Sequence, residues 1–243
     1  MIKEEIKMKN ILLSLLLVSS LVSLSSCRDI DSYDHSSITY YVTFTVTDGN
    51  MSVPVGSTFT DPGVVAMEGS ENVTSSVTKS GTVDATKLGV YTITYTAKNK
   101  EGYSSSATRT VYVYDPNNTT SDISGTYTVA SGTYRLYKGT QTPYSSYSVT
   151  VTKIVQGIYS ISDYFGGFYD KLRNDGSAYD MTGYFALNND NTISFISSHV
   201  SSWGDSLNGL SSATYNPSIK EIKYDASYSS DPSMDFYVIL DNQ

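Results

Sequence analysis

Residues 89–97 carry the clearest structural signal in the sequence, Gly-Val-Tyr-Thr-Ile-Thr-Tyr-Thr-Ala, in which apolar and polar residues alternate. Successive side chains of a β-strand point to opposite faces of the sheet, so this stretch has one apolar face and one threonine face. The apolar face consists of Tyr91, Ile93, Tyr95 and Ala97. Similar short runs recur along the chain between turn-forming residues, without helical periodicity. The sequence therefore predicts an all-β protein.

The chain divides at residues 115–122, which contain a proline among turn-forming residues and have no apolar periodicity. We predict a linker there, between a first β domain at residues 38–114 and a second at residues 123–243. Fourteen of the 22 tyrosines and the only tryptophan lie in the second domain. Its eight candidate strands have hairpin spacing, which predicts an antiparallel sheet curled into a β-barrel or half-barrel.

Three motifs of the first domain occur in the order found in a family of bacterial surface domains. They occupy residues 56–64, 81–84 and 89–95. With them, the first domain resembles the bacterial Ig-like domain named after a pesticidal crystal protein. The resemblance implies a β-sandwich that acts as a spacer, with Tyr91 as a tyrosine corner whose hydroxyl bonds to nearby backbone. Adhesion through the loops of this domain is the alternative.

The N-terminus has the three parts of a secretory signal: lysines, an apolar run at residues 11–24, and small residues before Cys27. At about 14 residues the apolar run is shorter than the roughly 20 that a membrane span needs. Leu24-Ser25-Ser26-Cys27 resembles the bacterial lipobox, which implies cleavage after residue 26 and lipidation of Cys27. The alternative is an ordinary secreted protein with a spare cysteine, but a lone cysteine has no internal disulfide to form.

Residues 27–37 follow as an acidic, polar tether. Its first residues resemble the surface-export signal of Bacteroidota lipoproteins, although a solvated spacer would look similar. We therefore expect the lipid on Cys27 to hold the protein on the outer membrane, facing the cell exterior. The formal net charge of the whole chain is −8, which makes nucleic acid a poor partner.

Residues suited to catalysis are sparse in the sequence. Cys27 lies at the tether, and the two histidines are His35 in the tether and His199. We therefore predict no metal site, no cofactor and no catalytic residues. Glycoside hydrolysis stays open as a minor alternative, because it needs just two carboxylates. The carboxylates available for it are Asp163, Asp170, Asp175 and Asp180.

Two aromatic segments of the second domain form the candidate ligand site. One places four rings around Gly166 and Gly167, where a ligand could approach the backbone. The other presents Trp203 among small polar residues. Rings can stack on the apolar face of a sugar while carboxylates bond its hydroxyls, so we predict a glycan site. Packing of these rings in the core is the alternative. The candidate residues are Asp163, Tyr164, Phe165, Phe168, Tyr169, Trp203 and Asp205.

The tripeptide Asp205-Ser206-Leu207 resembles the O-glycosylation motif of exported Bacteroidota proteins, which implies Ser206 as a modified residue. The whole layout resembles the lipoproteins of Bacteroidota polysaccharide-utilisation systems. It implies a non-catalytic surface lipoprotein that binds a glycan beside an outer-membrane transporter or hydrolase. A structural or adhesive surface protein that contacts other proteins is the alternative.

Overall fold

The computed structural model of the chain describes residues 38–230 and 233–242. The predicted signal peptide at residues 1–26, the lipidation site Cys27 and the tether at residues 27–37 lie outside the described residues. The described residues from Tyr41 onward belong to one compact unit. Their strands lie in three sheets. No helix in the part of the chain that the structure describes has the length and hydropathy to cross a membrane.

Two sheets form the N-terminal Ig-like part of the chain. One has the order β1-β3-β4 and the other the order β2-β7-β6-β5, in which β2 runs parallel to β7. The strands are β1 (Val42–Thr45), β2 (Asn50–Pro54), β3 (Val65–Glu68), β4 (Glu71–Asn72), β5 (Thr78–Ser80), β6 (Gly89–Lys98) and β7 (Ser104–Tyr114).

The alternation predicted for β6 is confirmed by its burial. Ile93, Tyr95 and Ala97 are buried. Ile93 and Tyr95 pack with Val53 and Val111, and Ala97 packs with Val42 and Ala66. Tyr91 donates its hydroxyl hydrogen to the backbone oxygen of Lys87 at 3.0 Å, so the predicted tyrosine corner is confirmed as well. The packing of apolar side chains therefore joins the two sheets.

A charged side chain, Arg109 of β7, lies inside the Ig-like sandwich and is 0% exposed. Its guanidinium donates to the Asp61 carboxylate and the Tyr95 hydroxyl. It also donates to backbone oxygens of Thr47 at 2.7 Å and Gly63 at 2.9 Å. A buried guanidinium is tolerated when its donors are satisfied in this way. Arg109 therefore ties the loops at one end of the sandwich to its sheets.

The rest of the chain forms one ten-stranded sheet in which every strand pairing is antiparallel. Its main path has the order β10-β9-β17-β8-β11-β12-β13-β14, and β16 with β15 branches from β17. The strands are β8 (Gly125–Val129), β9 (Tyr134–Tyr137), β10 (Thr140–Pro143), β11 (Ser148–Val155), β12 (Ile158–Ile161), β13 (Met181–Leu187), β14 (Ile193–Val200), β15 (Gly209–Asn216), β16 (Glu221–Ser230) and β17 (Ser233–Asp241).

The all-β class and the order of an Ig-like domain before a β domain are confirmed, but the sheet does not close into a barrel. A barrel requires a continuous ladder between its last two strands. Among the described residues, β14 and β15 meet through one isolated bridge between Thr192 and Thr214, next to a 2.9 Å hydrogen bond from Tyr215 N to Asn191 O. A bulge between Ser211 and Thr214 breaks the regular register of β15 at this seam.

Candidate functional site

The aromatic loop predicted as a ligand surface lies in the core of the second domain. Tyr164, Phe165, Phe168 and Tyr169 are all buried, and Phe165 is 0% exposed. The Phe165 ring lies 4.4 Å from that of Phe236 between centroids. Burial of such large apolar rings is strongly favourable and leaves no face open to a sugar. The expectation that these four rings form an open stacking surface is therefore corrected.

The two glycines of this loop serve packing instead of ligand access. Gly166 and Gly167 have φ values of 60° and 81°, which favour glycine. A Cβ at Gly167 would lie 2.9 Å from the Cβ of Tyr147. The glycines therefore let the loop fold inward, into a short π-helix at Phe168–Leu172.

Asp163 holds the start of this loop and is buried, so its assignment as a sugar ligand is also corrected. Its carboxylate accepts backbone hydrogen bonds from Phe165 and Met181 at 2.9 Å and from Gly167 at 2.6 Å. Burial raises the pKa of Asp163 to about 6, although these hydrogen bonds oppose the shift. Burial, with the charges of Asp163 and Asp170, raises the pKa of Asp180 to about 7.

Trp203, by contrast, lies at the surface and is 40% exposed. It occupies the tip of a tight turn in which Val200 and Asp205 pair through a 3.0 Å backbone hydrogen bond. Ser202 N–H donates to Ala178 O at 3.0 Å, which fastens the turn to the preceding loop. These two hydrogen bonds hold the turn that presents Trp203 at the surface.

Three tyrosines support the Trp203 ring. Its centroid lies 4.8 Å from that of Tyr169, 5.0 Å from that of Tyr179 and 6.1 Å from that of Tyr228. Tyr228 donates its hydroxyl hydrogen to Asp205 Oδ2 at 2.7 Å. The structure thus brings together three of the predicted residues, Trp203, Tyr169 and Asp205. We call the surface formed by Trp203, Tyr179, Tyr228 and Asp205 the Trp203 platform.

A second recess, of about 240 Å³, lies on the outer face of the sheet and was missed by the sequence reasoning. We call it the tyrosine groove. The alternation of apolar and polar residues in β17 indicates that Asp235 and Tyr237 lie on the face opposite its apolar residues. The partners on β9, β15 and β16 depend on strand register, which no local pattern gives. The groove is lined by Tyr134, Leu136, Ser211, Asp225, Ser227, Asp235 and Tyr237.

The chain is similar to a lipoprotein of known structure and to two family models. The lipoprotein BT2262 from Bacteroides thetaiotaomicron is 34% identical in sequence, and the match covers 83% of this chain and 100% of that chain, with a TM-score of 0.48. The chain belongs to the BT2262 lipoprotein family. A family model described as a C-terminal domain matches residues 116–242, and the model "Bacterial surface protein, Ig-like domain" matches residues 45–113. No match was found among curated proteins.

Two weaker structural matches come from Clostridium perfringens ZmpB. The structure of CBM51-2 in complex with GlcNAc and INT domains is 16% identical, covering 51% of this chain and 30% of that chain, with a TM-score of 0.27. The M60 catalytic domain with CBM51-1 and CBM51-2 is 17% identical, covering 52% and 14%, with a TM-score of 0.29. Matches with TM-scores this low support no conclusion about the fold or the function of this chain.

Asp175, His199 and Ser206 of this BT2262-family chain are exposed, whereas Asp170 and Asp180 are half-buried. Ser206 lies at the surface and donates its hydroxyl hydrogen to Ser198 O at 2.8 Å. His199 lines a recess of about 180 Å³ with hydroxyl residues that include Ser160 and Thr182. Within residues 38–230 and 233–242, no three His, Cys, Asp or Glu side chains are placed to hold a metal ion. The families matched are those of the BT2262 lipoprotein and of a bacterial surface Ig-like domain, and no catalytic family is among these matches.

Proposed function

We propose that this chain is a non-catalytic, lipid-anchored surface protein that binds a glycan on the Trp203 platform. One observation carries the proposal: Trp203 lies in a hydrogen-bonded turn and packs against three tyrosines, yet stays 40% exposed. A contiguous exposed surface of aromatic rings is typical of ligand-binding or interaction sites, whereas single exposed rings are common. The amphipathic surface of a pyranose fits a ring with a carboxylate beside it, here Asp205.

We also propose that the lipid on Cys27 anchors the protein in the outer membrane, and that its binding domain faces the cell exterior. A neighbouring outer-membrane transporter or hydrolase would take over the captured polysaccharide. Membership of a lipoprotein family and the surface-type Ig-like domain support this arrangement.

Calorimetric titration of the chain from residue 28 onward against soluble plant, host and microbial polysaccharides tests the proposal. Wild type should bind at least one of them, and Trp203→Ala should abolish binding while keeping its melting temperature within a few degrees. Tyr103→Ala is the matched control, because Tyr103 is also an exposed aromatic residue but lies on the Ig-like part. Silence across the panel from a folded chain, or equal loss in both variants, would refute the platform as a glycan site.

One feature favours contact with another protein as the second candidate function. Tyr41 and Tyr103 are more than half exposed on the Ig-like part, and their ring centroids lie 5.6 Å apart. Exposed aromatic pairs are typical of protein interfaces. If this surface binds a neighbouring membrane protein, Tyr41→Ala with Tyr103→Ala should reduce its co-purification with the chain, whereas Trp203→Ala should not.

A further inference from the structure

The tyrosine groove is built from two rows of side chains that run across neighbouring strands. In the first row, Ser211 pairs with Asp225, Asp225 with Tyr237, and Tyr237 with Tyr134. In the second row, Ser227 pairs with Asp235, and Asp235 with Leu136. Because alternate residues of a strand share a face, all of these side chains point to the same side of the sheet.

The opposite side of the same strands is the hydrophobic core. Tyr224 and Ala226 of β16 and Phe236 and Val238 of β17 are all buried there. The groove therefore has a rigid floor of paired strands backed by close packing. Tyr228 follows Ser227 in β16 but contacts the core residue Phe165 and Trp203, so the groove and the Trp203 platform are separate sites.

The aromatic wall of the groove consists of Tyr134 and Tyr237. Their rings stack with centroids 5.3 Å apart and an angle of 29° between the planes. Both side chains are half-buried, and Leu136 lies beside them in the recess. Stacked rings attract a cation through the electron density of their faces, and the apolar neighbour favours a cation with carbon substituents.

The charge of the groove comes from Asp225 and Asp235. Neither carboxylate forms an ion pair with any cation of the described residues. Lys223 is paired with Glu221 at 2.8 Å, and Arg135 lies on the other face of β9, with its guanidinium 4.5 Å from the Phe168 ring centroid. Asp235 accepts a hydrogen bond from Ser233 Oγ at 2.8 Å. The recess therefore joins two carboxylates with two aromatic rings, without a cation of its own.

We propose that the tyrosine groove binds an organic cation, namely a protonated amine carried on a small apolar or sugar-like skeleton. Its ammonium group lies against Asp225 and Asp235, and its carbon skeleton packs on Tyr237 and Tyr134. The volume of about 240 Å³ is below the roughly 300 to 1,000 Å³ of pockets for drug-sized ligands, which suits one amine-bearing unit. This inference does not depend on glycan binding at the Trp203 platform.

Two matched probes test the charge requirement: the trisaccharide of glucosamine, which carries amines, and the trisaccharide of N-acetylglucosamine, in which they are neutral amides. Titration of the chain from residue 28 onward, followed by NMR chemical shifts, should show perturbations at Tyr237 and Asp225 for the amine form alone. The affinity should fall as the salt concentration rises, because the attraction is between charges. Equal binding of both probes at the groove would overturn the proposal.

Variants separate the groove from other surfaces. Asp225→Asn and Asp235→Asn should each weaken binding of the amine probe about tenfold, the size expected for loss of a charge-assisted hydrogen bond. Asp241→Asn is the control, because Asp241 lies on the same face of β17 but outside the groove. Tyr237→Leu should also weaken binding, whereas Trp203→Ala should not. If Tyr237→Leu has no effect and Ca²⁺ competes with the amine, the groove is a metal site and the proposal fails.

Discussion

Tyr228 and Asp205 join the last part of the sheet to the Trp203 turn, with Tyr228 donating to Asp205 Oδ2 at 2.7 Å. Burial and the adjacent Asp205 carboxylate raise the pKa of Tyr228, so the donor is kept into alkaline solution. This hydrogen bond ties Tyr228 to the Trp203 turn, and the Tyr179 ring packs against the Trp203 ring.

We therefore expect Tyr228→Phe to loosen the Trp203 turn without unfolding the chain. Trp203 is the only tryptophan, so its fluorescence reports on the platform alone. The emission maximum should move to longer wavelength in the variant, and quenching by iodide should increase, because water reaches the ring more easily. The affinity for any glycan bound at the platform should fall several-fold. An emission spectrum identical to that of wild type would show that the bond does not position Trp203.

Gly183→Ala should destabilise the second domain. A Cβ at Gly183 would lie 2.2 Å from Ser197 O and 2.7 Å from the Tyr164 ring, and neither neighbour has room to move. Overpacking of this kind costs about 1 to 3 kcal/mol of unfolding free energy. Gly49→Ala is the matched control, because a Cβ at Gly49 meets nothing within 4 Å. Urea denaturation should show a lowered midpoint for Gly183→Ala alone, and similar midpoints for both variants would contradict the packing argument.

Arg109→Met should destabilise the Ig-like sandwich, because it removes the donors that satisfy Asp61 and several backbone oxygens. Removing one partner of a buried ion pair costs about 3 to 5 kcal/mol. Lys79 also pairs with Asp61, at 3.2 Å, but its side chain is exposed. Lys79→Ala should therefore cost at most about 1 kcal/mol. Thermal unfolding followed by circular dichroism compares the two, and an equal effect would show that burial of Arg109 is not what matters.

The stability of the second domain should fall as the pH rises from about 4 to about 6. Burial raises the pKa of Asp163 to about 6, so in this range the folded chain holds a proton that the unfolded chain has lost. The native state then binds more protons than the unfolded state, and the free energy of unfolding decreases with pH.

Asp163→Asn should remove this part of the pH dependence. The amide oxygen can keep the hydrogen bonds from Phe165 and Met181, but the amide nitrogen would face the Gly167 N–H. The variant should therefore be less stable than wild type at about pH 4, where Asp163 is protonated, and its stability profile should be flatter because the group no longer titrates. Urea midpoints measured at half-unit pH steps test this, and an unchanged slope in Asp163→Asn would assign the dependence to another group, such as Asp180.

Local signals in the sequence predicted the features that depend on local contacts. The period of two in β6 predicted its buried face, and the tyrosine corner joins Tyr91 to a residue four positions earlier. The Ig-like motifs likewise lie within one continuous stretch, and a family model matches it.

In the aromatic loop, local sequence signals led to a wrong prediction of an exposed surface. Rings around two glycines indicated ligand access, but Phe165 packs on Phe236 of a strand far along the chain. Whether an aromatic residue is core or surface depends on which distant strand covers it, and sequence alternation does not give that partner. For the same reason the tyrosine groove was not predicted, and a closed barrel was expected as well as a half-barrel where the sheet stays open. Trp203 was predicted as a surface ring because a short polar turn carries it.

Strand β17 pairs with β9, β8 and β16, so three parts of the large sheet meet on the last strand of the described residues. A ribosome delivers residues in order, and this sheet cannot assemble until residues 233–241 have emerged from it. The strands β8, β9 and β16 therefore have to wait for their common partner before the three parts of the sheet can join.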